Sequence, residues 1–481
     1  MIESVKAAKG VAWSAVERIS TIGIQFVLNI IIARLLSPSD YGVIAMLAIF
    51  LSISQCLIDG GFSSALIQRK DRTEKDYGTV FLFNIGISVV LYGILFLAAP
   101  LIAKFYNLEI LENVLRVVGL ILVISALSNV QKTILTINLD FKTQSFVSIL
   151  GAVISGLTGI VLAYKGFGVW SLVVQTLVNG IVSTILFWIL SKTKFRICFN
   201  SDSFRRLGSF GVKLMLSALL NTVCENLYAL FIGKKFSAHN LGYYSRADQF
   251  AVFPPRTLTE IINRVSYPIL CQHQDNKMEL SQVYKKFIKL SCYIMFPLMI
   301  GISVLARPII VVVLTEKWLP AAILMSILAL DGLWSPITKI NLSLLQAVGR
   351  SDLFLRLEII KKVMAVIILM ITIHFGLLWV CIGRVVYSII AMLINMYYTV
   401  DIIGKSYFLQ ITDWFKILVT ALLMGVCVLV TIHFIQGNMM QIVVGVIVGV
   451  VSFFLLSKLF HLEEMKNTIE VLSYIIRKRK F

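Results

Sequence analysis

Residues 243–270 read YYSRADQFAVFPPRTLTEIINRVSYPIL and carry three arginines, Arg246, Arg256 and Arg264, in a stretch long enough to cross a membrane. The rest of the 481-residue chain is strongly apolar, with 58% hydrophobic residues, 14% charged residues and a mean hydropathy of +0.89. This composition is typical of an integral membrane protein. Charge at membrane depth is rare and normally has a structural or functional use.

Apolar runs between polar breaks predict fourteen transmembrane helices, of which the eighth, at 242–268, is the least apolar. Lys and Arg accumulate in cytoplasmic loops, and with a cytoplasmic N-terminus 29 of the 44 fall in segments on that side, against 8 in or beside the opposite loops. Without the eighth helix, the basic segments 349–362 and 458–481 would lie outside. The charge pattern therefore supports the eighth helix and predicts that both termini are cytoplasmic.

Composition also excludes several classes of function. The net charge of +19 is mostly a topology signal, with anionic lipid head groups as its neighbours, and no soluble basic domain suggests nucleic-acid binding. The seven cysteines are scattered without CxxC spacing, and the five histidines are equally dispersed. We therefore expect no disulfide framework, no metal site, no cofactor and no catalytic pair.

The sequence repeats itself at an offset of about 200 residues. IIARLLSPSDYG at 31–42 aligns with FIGKKFSAHNLG at 231–242, and LAAPLI at 97–102 aligns with LARPII at 305–310. The first alignment pairs Ile32 with Ile232, Arg34 with Lys234, Ser37 with Ser237 and Gly42 with Gly242. Each offset spans six predicted helices, and an even-numbered repeat keeps its orientation in the membrane.

The repeat predicts an all-α protein of two parallel six-helix lobes. The N-terminal lobe covers residues 1–208, the C-terminal lobe 209–405, and two further helices with a basic tail cover 406–481. Paired lobes of this kind open a central cavity to either side of the membrane in turn, and their binding sites lie near the midplane.

Polar side chains recur at helical spacing on the leading helices of both lobes, which puts them on one face of each helix. From these stripes and the helix 8 arginines we select eight candidate substrate-binding residues: Arg18, Gln25, Lys213, Asn221, Arg246, Gln249, Arg256 and Arg264. Lys213 and Arg246 lie near predicted helix ends, where snorkelling to the interface is an alternative role. Arg384, in the twelfth predicted helix (377–400), falls outside the stripes and is interpreted as a packing or interface residue.

Six acidic residues accompany these cations: Glu17, Asp59, Glu225, Asp248, Glu260 and Asp331. Two interpretations remain open for them. They pair with the cations, or they carry a coupling proton or Na⁺.

Two consecutive prolines, Pro254 and Pro255, lie in the middle of helix 8. Each removes a backbone donor and clashes with the preceding turn, so a kink or break is expected there. The bend is fixed by packing, or it is a hinge for lobe motion, or it frees backbone carbonyls that line the cavity.

Six segments resemble the signature stretches of a known family: GVAWSAVERI (10–19), ARLLSPSDYG (33–42), GGFSSALIQRKDRTEKDYGTVF (60–81), GFGVWSLV (166–173), LGYYSRADQFAVFP (241–254) and EKWLPAA (316–322). In this order they resemble the Wzx-type bacterial oligosaccharide flippases of lipopolysaccharide or capsule biosynthesis. These form the polysaccharide transporter branch of the MOP superfamily, which also contains the MATE multidrug exporters and the lipid II flippase. The resemblance implies fourteen helices in two lobes plus two.

It further implies that the chain flips undecaprenyl diphosphate-linked oligosaccharides across the bacterial cytoplasmic (inner) membrane, without enzymatic activity. Arginine suits the diphosphate because its planar fork binds phosphate oxygens in pairs, and on helix 8 the best candidate is Arg256. Arg264 lies nearer the cytoplasmic end, where lipid head groups compete for it. Polysaccharide polymerase machinery is an expected partner. The alternative is a cation-coupled small-molecule exporter on the same fold.

Overall fold

The computed structural model describes residues 23–191, 195–404 and 406–465, and these residues form helices and no strands. The chain divides into two compact units, the first ending at Gly242 and the second beginning at Tyr243. The described helices that begin in the first unit are α1 (Gly23–Leu35), α2 (Pro38–Asp59), α3 (Phe62–Gln68), α4 (Glu74–Tyr106), α5 (Ile110–Val118), α6 (Leu120–Ile137), α7 (Phe141–Tyr164), α8 (Val169–Leu190), α9 (Ser201–Lys235) and α10 (Ala238–Gln272).

The second unit contains most of α10 and the helices that follow it. These are α11 (Lys277–Val304), α12 (Ala306–Leu314), a 3₁₀ turn (Glu316–Trp318), α13 (Leu319–Gly332), α14 (Ser335–Ala347), α15 (Ser351–Thr372), α16 (Leu377–Ile403), α17 (Tyr407–His433) and α18 (Asn438–Leu459). The lobe boundaries expected after residues 208 and 405 stay predictions.

Eleven helical stretches of the described residues are long and apolar enough to cross a membrane. The predicted total of fourteen is compatible with this finding. The three other predicted spans are 11–33, of which the described part lies in α1, and the ranges of the charged helices α10 and α15. The all-helical membrane fold expected from composition is therefore confirmed.

The two halves of the strongest sequence repeat fold in the same way. Ser37 precedes α2, where its hydroxyl accepts from the Asp40 N–H at 3.3 Å and the Asp40 side chain accepts from the Ser37 N–H at 2.9 Å. Ser237 precedes α10, and its hydroxyl accepts from the Asn240 N–H at 3.3 Å. Such caps satisfy donors that the first turn of a helix leaves unpaired. The repeat thus begins both helices by the same local chemistry.

Repeat-related glycines bring these two helix starts into backbone contact. A Cβ atom on Gly42 would lie 1.7 Å from the Ala238 carbonyl oxygen, and one on Gly242 would lie 1.8 Å from the Pro38 carbonyl oxygen. The contact is reciprocal, since each glycine meets the first residue of the other helix. Small residues allow such close approach of membrane helices.

A buried carboxylate fixes the start of α4 against α9. Asp76 is fully buried, accepts from the Thr73 N–H at 2.8 Å and receives the Arg206 guanidinium at 2.8 Å. The Asn200 N–H, just before α9, donates to the Thr79 hydroxyl at 3.0 Å. These bonds join the start of α4 to the start of α9.

Two glycines interrupt the second membrane crossing between α2 and α3. Gly60 and Gly61 have φ of +50° and +70°, a region that residues with a Cβ rarely adopt. A Cβ on Gly61 would also lie 2.2 Å from the Gly211 carbonyl oxygen of α9. The break therefore lies directly against α9.

The core of the second unit combines aromatic packing with buried polar groups. Trp334 and Trp414 meet edge to face at 5.5 Å between ring centroids, and Phe296 lies 6.3 Å from Trp414. Nearby, the buried Tyr284 hydroxyl donates to Asn341 Oδ1 at 2.6 Å. These contacts join α11, α14 and α17.

Helix α10 passes through Pro254 and Pro255 as one assigned helix. A kink or a break was expected at the prolines, and the helix does not break there. Pro255 packs against Gly332, where a Cβ atom would lie 2.9 Å from Pro255 Cγ. The hinge role remains a prediction.

The glycine contact generates a stability prediction. Gly42→Ala and Gly242→Ala should each lower the free energy of unfolding by roughly 2–3 kcal/mol, or prevent accumulation of the protein, because the new methyl group clashes with backbone. Gly86→Ala in α4 is the matched control, since a Cβ there has nothing within 4 Å. Thermal unfolding followed by size-exclusion chromatography measures both, and equal melting temperatures for all three variants would contradict the contact.

Candidate functional site

The polar face of α10 lines a cavity of about 610 Å³ in the second unit. Its α10 residues form two adjacent rows in which positions recur every three or four residues, as expected for one helix face: Val252, Pro255, Thr259 and Asn263 in one row, and Arg256, Glu260 and Arg264 in the other. Side chains of α13, α14, α15 and α16 complete the walls. The charged face of α10 is therefore directed into a cavity between helices of its own unit.

Basic residues predominate among the charged residues of this cavity. Its lining contains the five cations Arg256, Arg264, Lys339, Lys361 and Arg384, against the two acids Glu260 and Asp331. In a space bounded by low-dielectric helices, such an excess of positive charge attracts anions more strongly than it would in bulk water.

Arg384 is held by two carboxylates from two other helices. Its guanidinium, on α16, donates to Asp331 Oδ2 of α13 at 2.9 Å, to the Tyr244 hydroxyl of α10 at 2.7 Å and to Asp248 Oδ1 of α10. The Arg384 side chain is only 16% exposed. Burial of a charge at this depth requires such partners, so the cluster fastens the charged helix α10 to α13 and α16.

Two other cations of the cavity remain available to a ligand. Arg264 and Lys339 are exposed, and neither forms an ion pair with any residue that the structure describes. Arg256 is 72% exposed and has a loose contact of 3.8 Å with Glu260 on the next turn. An exposed pair at this distance contributes little stability, so an anion can replace it.

Lys361 approaches the same cavity from α15. It is buried, and its Nζ donates to Glu358 Oε1 one turn earlier at 2.5 Å. Neutral polar and aromatic groups fill the remaining wall: Trp334, Ser335, Thr338, Tyr387 and Ser388. Hydroxyls and aromatic faces of this kind suit sugars, which present hydroxyl groups and apolar ring faces.

A second cavity, of about 520 Å³, lies in the first unit between α2, α3 and α9. Its charged lining residues are the acids Asp59 and Glu225. Asp59 Oδ1 accepts from the Asn129 amide at 2.9 Å and from the Gln55 amide at 3.5 Å, while the Ser125 hydroxyl donates to Gln55 Oε1 at 3.0 Å. Asp59 is thus held by neutral amides at the end of α2.

The predicted site residues separate into several groups. The cation-rich cavity is lined by four predicted residues: Arg256, Arg264, Glu260 and Asp331. Asp248 does not line the cavity but binds Arg384, which does. Asp59 and Glu225 line the first-unit cavity. Arg18 and Glu17 lie outside the described residues.

The remaining candidates lie elsewhere. Arg246 is half-buried and Gln249 is exposed, and neither lines the cation-rich cavity, since seven residues of helix separate Gln249 from Arg256 by about 10 Å. Gln25 and Asn221 are exposed on α1 and α9, outside both cavities. Lys213 lines a third, apolar pocket of the first unit.

Sequence reasoning missed the cavity role of Arg384 and Lys361. Arg384 was expected to pack helices, which it does, but it also reaches the cavity wall. A guanidinium in mid-membrane needs acidic partners. The presence of Asp248 and Asp331 in other predicted helices could therefore have indicated the position of Arg384. Lys361 was assigned to a cytoplasmic basic segment, and nothing in its spacing indicated burial.

The described helices define a multi-pass membrane protein. The structure matches that of the lipid II flippase MurJ in an inward closed conformation with a TM-score of 0.76, at 16% identity, over 94% of this chain and 99% of that one. It also matches an inward-facing multidrug resistance MATE family transporter of the MOP superfamily, with a TM-score of 0.61 at 16% identity, over 81% and 99% of the two chains. At this identity the likeness establishes the fold.

Residues 31–323 match the model of the family described as "Polysaccharide biosynthesis protein", and the chain belongs to this family. It is 27% identical to the teichuronic acid biosynthesis protein TuaB of Bacillus subtilis (strain 168), over 72% of each chain. It is 25% identical to the lipopolysaccharide biosynthesis protein WzxC of Escherichia coli (strain K12), over 84% of this chain and 82% of that protein. A third relative is the succinoglycan biosynthesis transport protein ExoT of Rhizobium meliloti (strain 1021), 23% identical over 75% and 73%. The resemblance noted in the sequence is thereby confirmed.

The Arg384 cluster generates a prediction on stability. Arg384→Gln should destabilise the protein by roughly 3 kcal/mol or more, because it leaves the carboxylates of Asp248 and Asp331 uncompensated at membrane depth. The triple variant Arg384→Gln, Asp248→Asn, Asp331→Asn should recover most of this loss, since no charge is then left unpaired. Melting temperatures in detergent measure both. If the triple variant is no more stable than Arg384→Gln alone, the unpaired carboxylates are not the cause of the destabilisation.

Proposed function

We propose that the chain moves a lipid-linked oligosaccharide, built on undecaprenyl diphosphate, across the bacterial cytoplasmic membrane for assembly of a surface polysaccharide such as O-antigen, capsule or exopolysaccharide. The observation that carries the proposal is the cation-rich cavity of the second unit, in a chain of the polysaccharide biosynthesis family. Transport proceeds by alternating access, in which the lobes expose the bound cargo first to one side of the membrane and then to the other.

The chemistry of the cargo fits the cavity wall. A diphosphate carries negative charge that must exchange its water shell for other donors before it crosses the bilayer. Arg256 and Arg264 offer planar forks that bind phosphate oxygens in pairs, and Lys339 adds a point charge. The loose contact of Arg256 with Glu260 leaves the guanidinium free to turn to the cargo.

Sugars and lipid make different demands. The hydroxyl and aromatic side chains around the cations, including Ser335, Thr338 and Tyr387, offer hydrogen bonds and ring stacking to an oligosaccharide. The polyprenyl tail needs no polar site, because it remains soluble in the bilayer. The named roles of TuaB, WzxC and ExoT in polysaccharide synthesis or transport, and of MurJ as a flippase of lipid II, support a cargo of this class.

Coupling to a proton or Na⁺ is proposed for the first unit. Asp248 and Asp331 are engaged by Arg384, which leaves Asp59, held by neutral amides beside the α2–α3 break, as the better candidate for cation exchange. Interrupted membrane helices recur at ion sites of transporters. The predicted topology places both termini in the cytoplasm, where a polysaccharide polymerase complex is a proposed partner.

A cation-coupled exporter of small molecules remains the second candidate. The acidic cavity of Asp59 and Glu225 favours it, since carboxylates attract cationic compounds. The two functions differ in which cavity takes the cargo. Loss of the basic residues disables a flippase and leaves a drug exporter active, whereas loss of the Asp59 carboxylate stops both, because Asp59 is the proposed coupling group in either case.

The flippase proposal is tested by surface glycan in a strain deleted for the gene and complemented with variants. Arg256→Ala, Arg264→Ala and Lys339→Ala combined should lower the surface glycan at least tenfold, because three anion-binding groups are lost. Immunoblots confirm that membrane levels of the protein are normal.

The control variant removes the same charge from the same unit. Lys286→Ala, Arg356→Ala and Lys416→Ala combined neutralises exposed cations that do not line the cavity. This control should export glycan normally. Equal glycan from the cavity variant and the control would contradict the proposed function.

A further inference from the structure

An apolar pocket of about 600 Å³ lies in the first unit, next to the acidic cavity, with which it shares Met215. Three phenylalanines form its aromatic wall: Phe62 of α3, Phe83 of α4 and Phe204 of α9. Their ring centroids lie 4.6 Å (Phe62 to Phe83), 5.7 Å (Phe62 to Phe204) and 5.4 Å (Phe83 to Phe204) apart. Gly208 leaves room beside them, since a Cβ there would only reach ordinary contact with Phe62 at 3.7 Å.

Two basic residues of α9 border this apolar pocket. Arg205 and Lys213 line it, are exposed, and form no ion pair with any residue in the described ranges. Eight residues separate them, so they lie on one helix face about 12 Å apart along the axis. The neighbouring Arg206 differs, because it is committed to the buried Asp76 at 2.8 Å. Arg206 therefore has a structural role, whereas the adjacent Arg205 has no ion-pair partner among the described residues.

The depth of the two cations follows from the predicted topology. Helix α9 begins at Ser201, within the basic segment 192–206 that the charge pattern assigns to the cytoplasm. Arg205 then lies at the level of the inner-leaflet head groups, and Lys213 lies two turns deeper, where its flexible stem can return the ammonium group towards the interface. A phosphate between them would satisfy both charges.

We propose that this pocket binds an acidic glycerophospholipid of the cytoplasmic leaflet. One acyl chain lies against Phe62, Phe83 and Phe204, and the phosphate group lies between Arg205 and Lys213. A polyprenyl chain is several times longer than the pocket, and a soluble anion would gain nothing from an aromatic wall. A zwitterionic lipid fits the shape but brings no net charge to the two cations.

Such a lipid would act independently of the cargo. It would join α3, which follows the Gly60–Gly61 break, to α4 and α9, and a ligand that binds only the folded protein stabilises it by mass action. The proposal also changes the interpretation of Lys213, which the sequence placed among the substrate-binding residues. Here it holds a lipid of the surrounding membrane.

The test measures lipid binding to the purified full-length protein by native mass spectrometry in neutral detergent. Phosphatidylglycerol is titrated against phosphatidylcholine with the same acyl chains. Arg205→Gln with Lys213→Gln should weaken phosphatidylglycerol binding roughly thirtyfold, as expected for two basic residues at a membrane surface. Binding of phosphatidylcholine should hardly change.

The control Lys70→Gln with Lys75→Gln removes two exposed charges from the same end of the unit, outside the pocket, and should stay within about twofold of wild type. If this control loses as much affinity as the pocket variant, or if neither loses any, no specific site exists. Two further variants fill the apolar part while keeping both charges, Gly208→Leu and, should that fail to fold, Ser209→Leu. Normal phosphatidylglycerol binding by a filled variant overturns the proposal, as does displacement of bound phosphatidylglycerol by equimolar undecaprenyl phosphate.

Discussion

The rest of the structure depends on one constraint, which is that the charges of helix α10 need partners or a polar cavity in an apolar membrane. A guanidinium or carboxylate at this depth must either meet an opposite charge or face a polar cavity, because lipid offers neither hydrogen bonds nor dielectric screening. Helix α10 meets both conditions. Asp248 binds Arg384 of α16, which also binds Asp331 of α13. About two turns and four turns later along α10, Arg256 and Arg264 face the cation-rich cavity. The same cluster that holds the helix thus forms one wall of the candidate site.

The parts of this arrangement that the sequence predicts are those set by one helix or by chain-wide charge. Counting Lys and Arg on the two sides of the membrane predicted a crossing at 242–268, and the helix α10 covers this range. That α10 crosses the membrane stays a prediction. The 200-residue repeat paired Gly42 with Gly242, and these glycines meet the opposite helix starts. Helical phase placed Arg256 and Glu260 on one face, as observed. Each of these features follows from local periodicity or from the composition of loops.

What the sequence does not reveal is which helix each face meets. Gln249 has the phase of the cavity-lining residues but lies beyond the reach of the cavity along the helix axis. Lys213 belongs to a polar stripe in the sequence, yet the fold brings it beside Phe62 and Phe83. Arg384 and Lys361 showed no periodic pattern, and their position depends on neighbouring helices. Such tertiary contacts are encoded in pairs of residues far apart in sequence, so spacing alone cannot identify them.

The two units differ in the sign of the charged side chains that line their polar cavities. The cavity of the second unit has an excess of basic side chains, whereas the charged residues lining that of the first are acidic, so the second should select cargo by its phosphate charge. The most direct test is translocation by the purified protein in liposomes of two cargoes with the same oligosaccharide and polyprenyl chain, one joined by diphosphate and one by an uncharged linker. A cavity that selects by phosphate charge should transfer the diphosphate cargo rapidly and the uncharged one little. Equal rates for both would contradict this selection.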